Sequence, residues 1–179
     1  METSGGGWTV FQRRWYGNNE NFNRSFAEYE NWFGSLDGEF WLGLKKIHEM
    51  TRKENVTLRV DVQSMDGTIG YDVYSDFFIS SPDRYEFHVS ERIDSLNMRK
   101  SYTLSQTASD NRPFSTYDRD MDNLEKENCA QERGGGWWYH DTCSDMSNLH
   151  TWQHPCYASI YGFFVLKTSQ MMLRRDFLL

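Results

Sequence analysis

Val56-Thr57-Leu58-Arg59-Val60-Asp61-Val62-Gln63 alternates apolar and polar residues without a break. Successive side chains of an extended chain point to opposite sides, so this run predicts a strand with one buried and one solvated face. Asp66-Gly67 follows, a dipeptide suited to a tight hairpin because glycine accepts the positive φ that such turns need. Ile69, Tyr71 and Val73 resume the alternation, predicting an antiparallel partner with those three on its apolar face, and Tyr85, Phe87 and Val89 repeat it after Pro82. Upstream, Ser25-Phe26-Ala27-Glu28 has the form of a capping box, which predicts a helix carrying Phe26, Tyr29 and Phe33 on one face and stopping at Gly34. A second helix is predicted after Phe40-Trp41-Leu42, through Leu44, Ile47 and His48 to about Thr51. Trp8 to Arg14 reads as a strand, and Phe163 to Leu173 as a late strand that rejoins the sheet. The fold class is therefore α+β, a twisted antiparallel sheet flanked by short helices.

The chain has 179 residues, enough for one domain with a substantial core. Trp, Tyr and Phe number 7, 10 and 12. Many of these rings carry a polar edge that needs a partner when buried, which favours a loop-rich fold. From Asp94 to Arg112 the pattern weakens into a polar stretch, and a loop-built lobe follows to about Ile160. Residues 1–179 thus read as a single domain, with 8–110 and 161–175 as its central sheet subdomain and 111–160 as the lobe. The net charge of -7 argues against a nucleic-acid partner, since phosphate neutralisation needs clustered Lys and Arg. No apolar stretch is long enough to span a bilayer.

Asp118-Arg119-Asp120-Met121-Asp122 places carboxylates at alternate positions, as oxygen-ligand calcium loops do. It is not an EF-hand, because Asn123 and Cys129 stand where that loop needs glycine and glutamate. Cys129, Cys143 and Cys156 are an odd number, so at least one has no partner within the chain. Asn23-Arg24-Ser25 and Asn55-Val56-Thr57 are glycosylation acceptors, usable at Asn23 and Asn55 in a secretory compartment. His140, Cys143, His150, His154 and Cys156 form an alternative, tetrahedral zinc set. Nothing points to an enzyme: there is no Gly-x-Ser-x-Gly elbow, phosphate loop or dinucleotide fingerprint. His48 and His88 read as a helix-surface residue and the polar side of a strand.

Five motifs in one order, Gly6 to Arg14, Asp37 to Leu44, Phe114-Ser115-Thr116, Asn128-Cys129-Ala130 and Gly135-Gly136-Trp137-Trp138, closely resemble the fibrinogen-like (fibrinogen C-terminal) domain family. Leu166-Lys167 through Met172-Leu173-Arg174 resembles its last strand. The resemblance implies a loop-rich calcium-binding lobe. Ca2+ would be held by the side chains of Asp120 and Asp122 and by backbone carbonyls near Leu124 and Lys126, with Asp118 in support. It also implies a Cys129–Cys143 disulfide, worth about 3 kcal/mol in the chain-entropy account. Family members carry a cysteine just upstream of Met1, so the chain reads as N-terminally truncated, with oligomer formation expected through the missing N-terminal region.

In lectin-like members a pocket beside the calcium loop recognises acetyl groups, using aromatic rings and amides near a cis peptide before the second cysteine. The positions of this chain that resemble it are Arg133, Trp138, Cys143, Ser144, Tyr157 and Ala158. Arg133 replaces a tyrosine and Ser144 a histidine, which argues against acetyl-sugar binding; Arg133 and Ala158 also oppose the acidic pocket by which fibrin-type members hold a peptide amine. His140 to Cys143 and Met171 to Phe177 look more like the angiopoietin and angiopoietin-like branch. The expected function is that of a secreted, extracellular module binding a cell-surface protein receptor, the alternative being a ficolin-like lectin for acetylated glycans.

Overall fold

The computed structural model describes residues 6–15, 20–53, 55–100, 104, 109–140, 143, 148–150, 156–159 and 162–176. Its frame is a mostly antiparallel sheet in the order β2-β3-β1-β10-β4-β5-β8, with β9 pairing β10 off that path. These strands are β1 (Thr9–Trp15), β2 (Phe33–Gly34), β3 (Phe40–Trp41), β4 (Val56–Ser64), β5 (Ile69–Tyr74), β8 (Arg92–Leu96), β9 (Cys156–Ser159) and β10 (Gly162–Arg175). The late strand does rejoin the sheet, and at its centre: β10 lies between β1 and β4. A separate two-stranded ribbon pairs β6 (Phe78–Ile79) with β7 (Phe87–His88).

Two short helices, α1 (Phe26–Asn31) and α2 (Leu44–Thr51), flank the sheet. The Ser25 hydroxyl accepts from the Glu28 amide while the Glu28 carboxylate accepts from the Ser25 amide, closing the capping box. The helix ends earlier than the glycine suggested. Trp32 is already extended, and Phe33 and Gly34 pair with Trp41 and Phe40 as a small hairpin. Gly34 has φ +90, and a Cβ there would lie 2.3 Å from the Glu39 carbonyl oxygen. Its role is close approach within that hairpin, not helix termination.

The hairpin at Asp66-Gly67 sets the register of β4 and β5, and with it a second departure from the sequence pattern. Leu58 faces Tyr74, Val60 faces Asp72 and Val62 faces Gly70. Tyr74, Asp72 and Gly70 therefore share the inward face, whereas Ile69, Tyr71 and Val73 sit on the other side, where Ile69 is 58% exposed. Nor is β4 simply half-buried, because Thr57 and Arg59 are covered as well as the valines. Arg59 lies over the Tyr71 ring and pairs with Asp61, and the Thr57 hydroxyl donates to Asp176.

The inward face carries a core dominated by rings. Phe11 stacks on Phe77 and meets Trp41 edge-on; Trp41, Phe114, Phe87 and Trp138 continue the cluster. Tyr29, fully buried, ties it together. Its hydroxyl donates to the Phe22 carbonyl at 2.6 Å and accepts the Gly136 amide at 3.1 Å, while the Trp41 indole donates to the Tyr29 carbonyl. A Cβ on Gly136 would fall 2.7 Å from a Tyr29 ring carbon and 2.8 Å from one of Phe114. Tyr29→Phe leaves a buried amide without an acceptor and is expected to cost about 1–3 kcal/mol in denaturant unfolding. Gly136→Ala is expected to cost about as much through overpacking. A loss below a few tenths of a kcal/mol in both variants would contradict this role for the contact.

Candidate calcium and recognition site

The acidic loop is built onto the core from both ends. Ser115 pairs with Trp137 as a β-bridge, and Thr116 and Arg119 exchange backbone hydrogen bonds around a tight turn at Tyr117-Asp118. The Asp118 carboxylate faces back into the protein, accepting the Phe26 amide at 2.9 Å and the Thr116 hydroxyl at 2.7 Å. It props the loop against the start of α1. Arg119 reinforces that seam, with its guanidinium over the Phe26 ring at 4.0 Å.

Asp120 and Asp122 are arranged differently. One Asp120 oxygen accepts the Asp122 amide at 3.2 Å. The two oxygens of Asp122 accept the Leu124 and Cys129 amides, both at 2.9 Å. Burial, then the neighbouring Asp122 charge, raises the Asp120 carboxyl above its usual range, against the pull of the Asp122 amide. Both side chains offer hard carboxylate oxygens, the donor type that Ca2+ takes. Leu124 packs against the core, and Lys126 is exposed.

Cys129 opens α3 (Cys129–Arg133), whose first turn is capped by the Asn128 side chain accepting the Gln131 amide. Cys129 and Cys143 are joined by a disulfide with Cα atoms 5.0 Å apart. This bond occupies the Cys143 sulfur and takes it out of the zinc set, and His150 is turned inward onto the Gly136 carbonyl. His154 and Ser144, and the Thr142 side of the peptide expected to be cis, lie outside the described residues, and of Cys156 and Ala158 only the strand placement is described. Asn23 and Asn55 are both exposed. His48 is half-buried and bonds the Ile79 carbonyl, fastening α2 to the β6–β7 ribbon, and His88 stacks on Phe78.

The described members of the candidate pocket set are each engaged separately. Arg133 ends α3 partly exposed, beside Glu132 at 3.4 Å. Trp138 is fully buried and its indole donates to the Tyr85 carbonyl, so it is core and presents no ring face to solvent. Tyr157 is also buried, and its hydroxyl donates to Asp72 at 3.0 Å. Asp72 likewise accepts from Tyr74 at 3.1 Å and Arg92 at 3.2 Å. Apart from Tyr157, this buried cluster was not among the expected site residues. Its one trace in the sequence is a charge placed between the apolar residues of β5.

The chain is thus an aromatic-cored sheet domain with a disulfide-closed lobe and an acidic loop beside it. The family described as fibrinogen beta and gamma chains, C-terminal globular domain, matches residues 1–166, and the chain belongs to it. Fibrinogen-like protein 1 from Bos taurus is 38% identical over 161 residues, 85% of this chain and 50% of that protein. Angiopoietin-4 from Bos taurus is 35% identical over 187 residues, 97% of this chain and 36% of its own length. The fibrinogen-like globe domain of human ANGPTL6 superposes with a TM-score of 0.82 at 32% identity, covering 99% of this chain and 82% of that one. The chain thus spans half or less of these two relatives' length.

Two buried groups give opposite pH dependences. Desolvation, opposed by the bond to the Gly136 carbonyl, lowers His150 to about 3. Its folded value lies below the ordinary 6.5, so the unfolded chain binds the extra proton, and stability is full above about 6.5 and falls as pH drops below it. Asp72 is raised to about 6 by burial, against the pull of Arg92 and the two tyrosines. Here the folded state binds the extra proton, so its contribution improves as pH falls from above 6 toward 3.8. Each slope approaches about 1.4 kcal/mol per pH unit within its window. In urea titrations across pH, His150→Asn is expected to flatten the acid loss and Asp72→Asn to steepen it. Parallel profiles for both variants and the parent would refute this.

Proposed function

We propose that this chain is an extracellular, calcium-binding recognition module that engages a protein receptor, acting by binding and not by catalysis. What carries the reading is the Asp120–Asp122 pair anchored through the Cys129 amide to the disulfide-closed lobe. Bound calcium would supply positive charge that relieves the repulsion between these carboxylates. The protein's own contribution is to hold them: Asp122 through the Leu124 and Cys129 amides, and the loop as a whole through Asp118 on Phe26. The backbone from Asp120 to Cys129 then becomes a fixed edge of the lobe.

A protein partner is favoured over an acetylated glycan because the rings such a pocket would use are spent internally, Trp138 on Tyr85 and Tyr157 on Asp72. The lobe presents Tyr117, 44% exposed, beside the acidic loop. The similarity to angiopoietins and angiopoietin-like globes supports an extracellular setting, in which Asn23 and Asn55 would be glycosylated. Among the described residues no helix is long and apolar enough to cross a membrane.

Calcium at about a hundred times its Kd is expected to stabilise the fold by about 2.7 kcal/mol, read as a rise in the thermal midpoint. Asp120→Asn with Asp122→Asn should abolish that rise, and a midpoint indifferent to calcium in the parent would sink the metal assignment. Binding to cells expressing candidate receptors should be saturable, reduced by chelator and reduced by Tyr117→Ala. Retention on an acetylated resin with release by free acetylated sugar would favour the lectin instead.

A further inference from the structure

The side of the sheet opposite the aromatic core carries a concavity of about 320 Å³. Two adjacent cross-strand rows build it. Register places Trp15, Thr168, Gln63 and Ile69 side by side across β1, β10, β4 and β5, and Arg13, Gln170, Asp61 and Tyr71 in the next row on the same face. With strands about 4.8 Å apart, each row spans about 14 Å. Trp15, 38% exposed, forms one wall; Ile69 and Tyr71 form the other. Between the walls lie an amide, a hydroxyl, a second amide and a carboxylate.

The chemistry of the floor narrows what could bind. Arg59, with only 8% of its side chain exposed, pairs with Asp61 at 2.6 Å and lies 3.9 Å from the Tyr71 ring centre. Its positive charge is thus answered inside the protein, and Arg13, which does not line the concavity, spends its guanidinium on the Gln170 amide oxygen and the Leu36 carbonyl, so the lining itself carries no net charge to select an ionic ligand. The Gln63 amide, which already donates to the Gly67 carbonyl, and the Thr168 hydroxyl offer both donors and acceptors, while the Gln170 amide oxygen accepts from Arg13. Flat rings at the edge with mixed donors and acceptors at the centre suit a molecule that has apolar C–H faces and a ring of hydroxyls. Concave sites of this size lined by a few convergent polar groups are the usual form of small-molecule sites.

We infer that this face of the sheet is a binding site for a neutral sugar unit of an oligosaccharide, separate from the acidic loop and independent of calcium. Trp15 stacks on one face of the sugar, Asp61 accepts from its hydroxyls, and Gln63 and Thr168 both donate and accept. The four strands carrying the site are hydrogen-bonded neighbours at the centre of the sheet, so the walls are held without any metal.

The test is fluorescence polarisation of the full chain against labelled maltopentaose, laminaripentaose, mannopentaose and galactopentaose, each in calcium and in chelator. Saturable binding to at least one is expected, with affinity unchanged by chelation and by Arg133→Ala in the lobe. Trp15→Ala is expected to weaken it about tenfold or more. Ile69→Lys, at an exposed wall position where the fold is indifferent to the side chain, should weaken it similarly and decides the matter if Trp15→Ala unfolds. No saturable binding to any of the four, equal affinity for the parent and Ile69→Lys, loss of binding on chelation, or a preference for sulfated oligosaccharides would each overturn the assignment. Failure of receptor binding at the lobe would leave this result standing, since the two readouts use different faces and only one requires calcium.

Discussion

The Tyr29 hydroxyl joins parts of the chain that would otherwise have no reason to meet. It is buried with the Phe22 carbonyl and the Gly136 amide as partners, and the His150 ring, 3.4 Å away, bonds the Gly136 carbonyl in turn. The segment before α1, α1 itself and two stretches of the lobe therefore converge on one polar point inside an otherwise apolar core. Burying these groups is tolerable only because they satisfy one another. The cluster also explains the bare backbone at Gly135 and Gly136, where added side-chain atoms would collide with His150 in the first case and with Tyr29 and Phe114 in the second.

From that point the lobe is fixed to the sheet by contacts of different chemistry. Asp118 on the Phe26 amide holds the acidic loop to α1, the Ser115–Trp137 bridge holds it to the segment after α3, and Tyr157 on Asp72 holds β9 to β5. The disulfide then closes the lobe on itself. Anchoring of this kind consumes the rings that could have lined a small-ligand pocket. It leaves the acidic loop at the surface, held by side-chain bonds to the Phe26, Asp122, Leu124 and Cys129 amides. Under the proposed function, recognition on such a lobe would work through surface shape and charge.

The sheet serves two faces at once. Inward, β4 and β5 place Leu58, Val60 and Val62 against the core; outward, the same strands display Asp61, Gln63, Ile69 and Tyr71. The ion pair of Arg59 with Asp61 lets a charged residue stand on a largely covered strand position, at the cost of a raised Asp61 carboxyl for which burial is the leading cause. This is the usual balance of a partly buried pair, whose desolvation offsets much of its attraction.

Local patterns were enough to place much of this protein. The strand over Val56 to Gln63, the Asp66-Gly67 turn, the Ser25–Glu28 capping box and the helix ending near Thr51 are each decided within a few residues, and each appears in the fold. The ordered motifs from Gly6 to Trp138 carried the family, and with it the Cys129–Cys143 pair. Tertiary structure decided what depends on distant partners. Gly34 reads as a helix stop until Glu39 folds back over it, and Ile69, Tyr71 and Val73 read as an apolar face until hairpin register turns Asp72 and Tyr74 inward. Trp138 and Tyr157 resembled ligand-binding positions, yet Tyr85 and Asp72, remote in sequence, claim their polar ends. Periodicity specifies that a residue is buried or exposed relative to its neighbours; only packing specifies which buried group satisfies it.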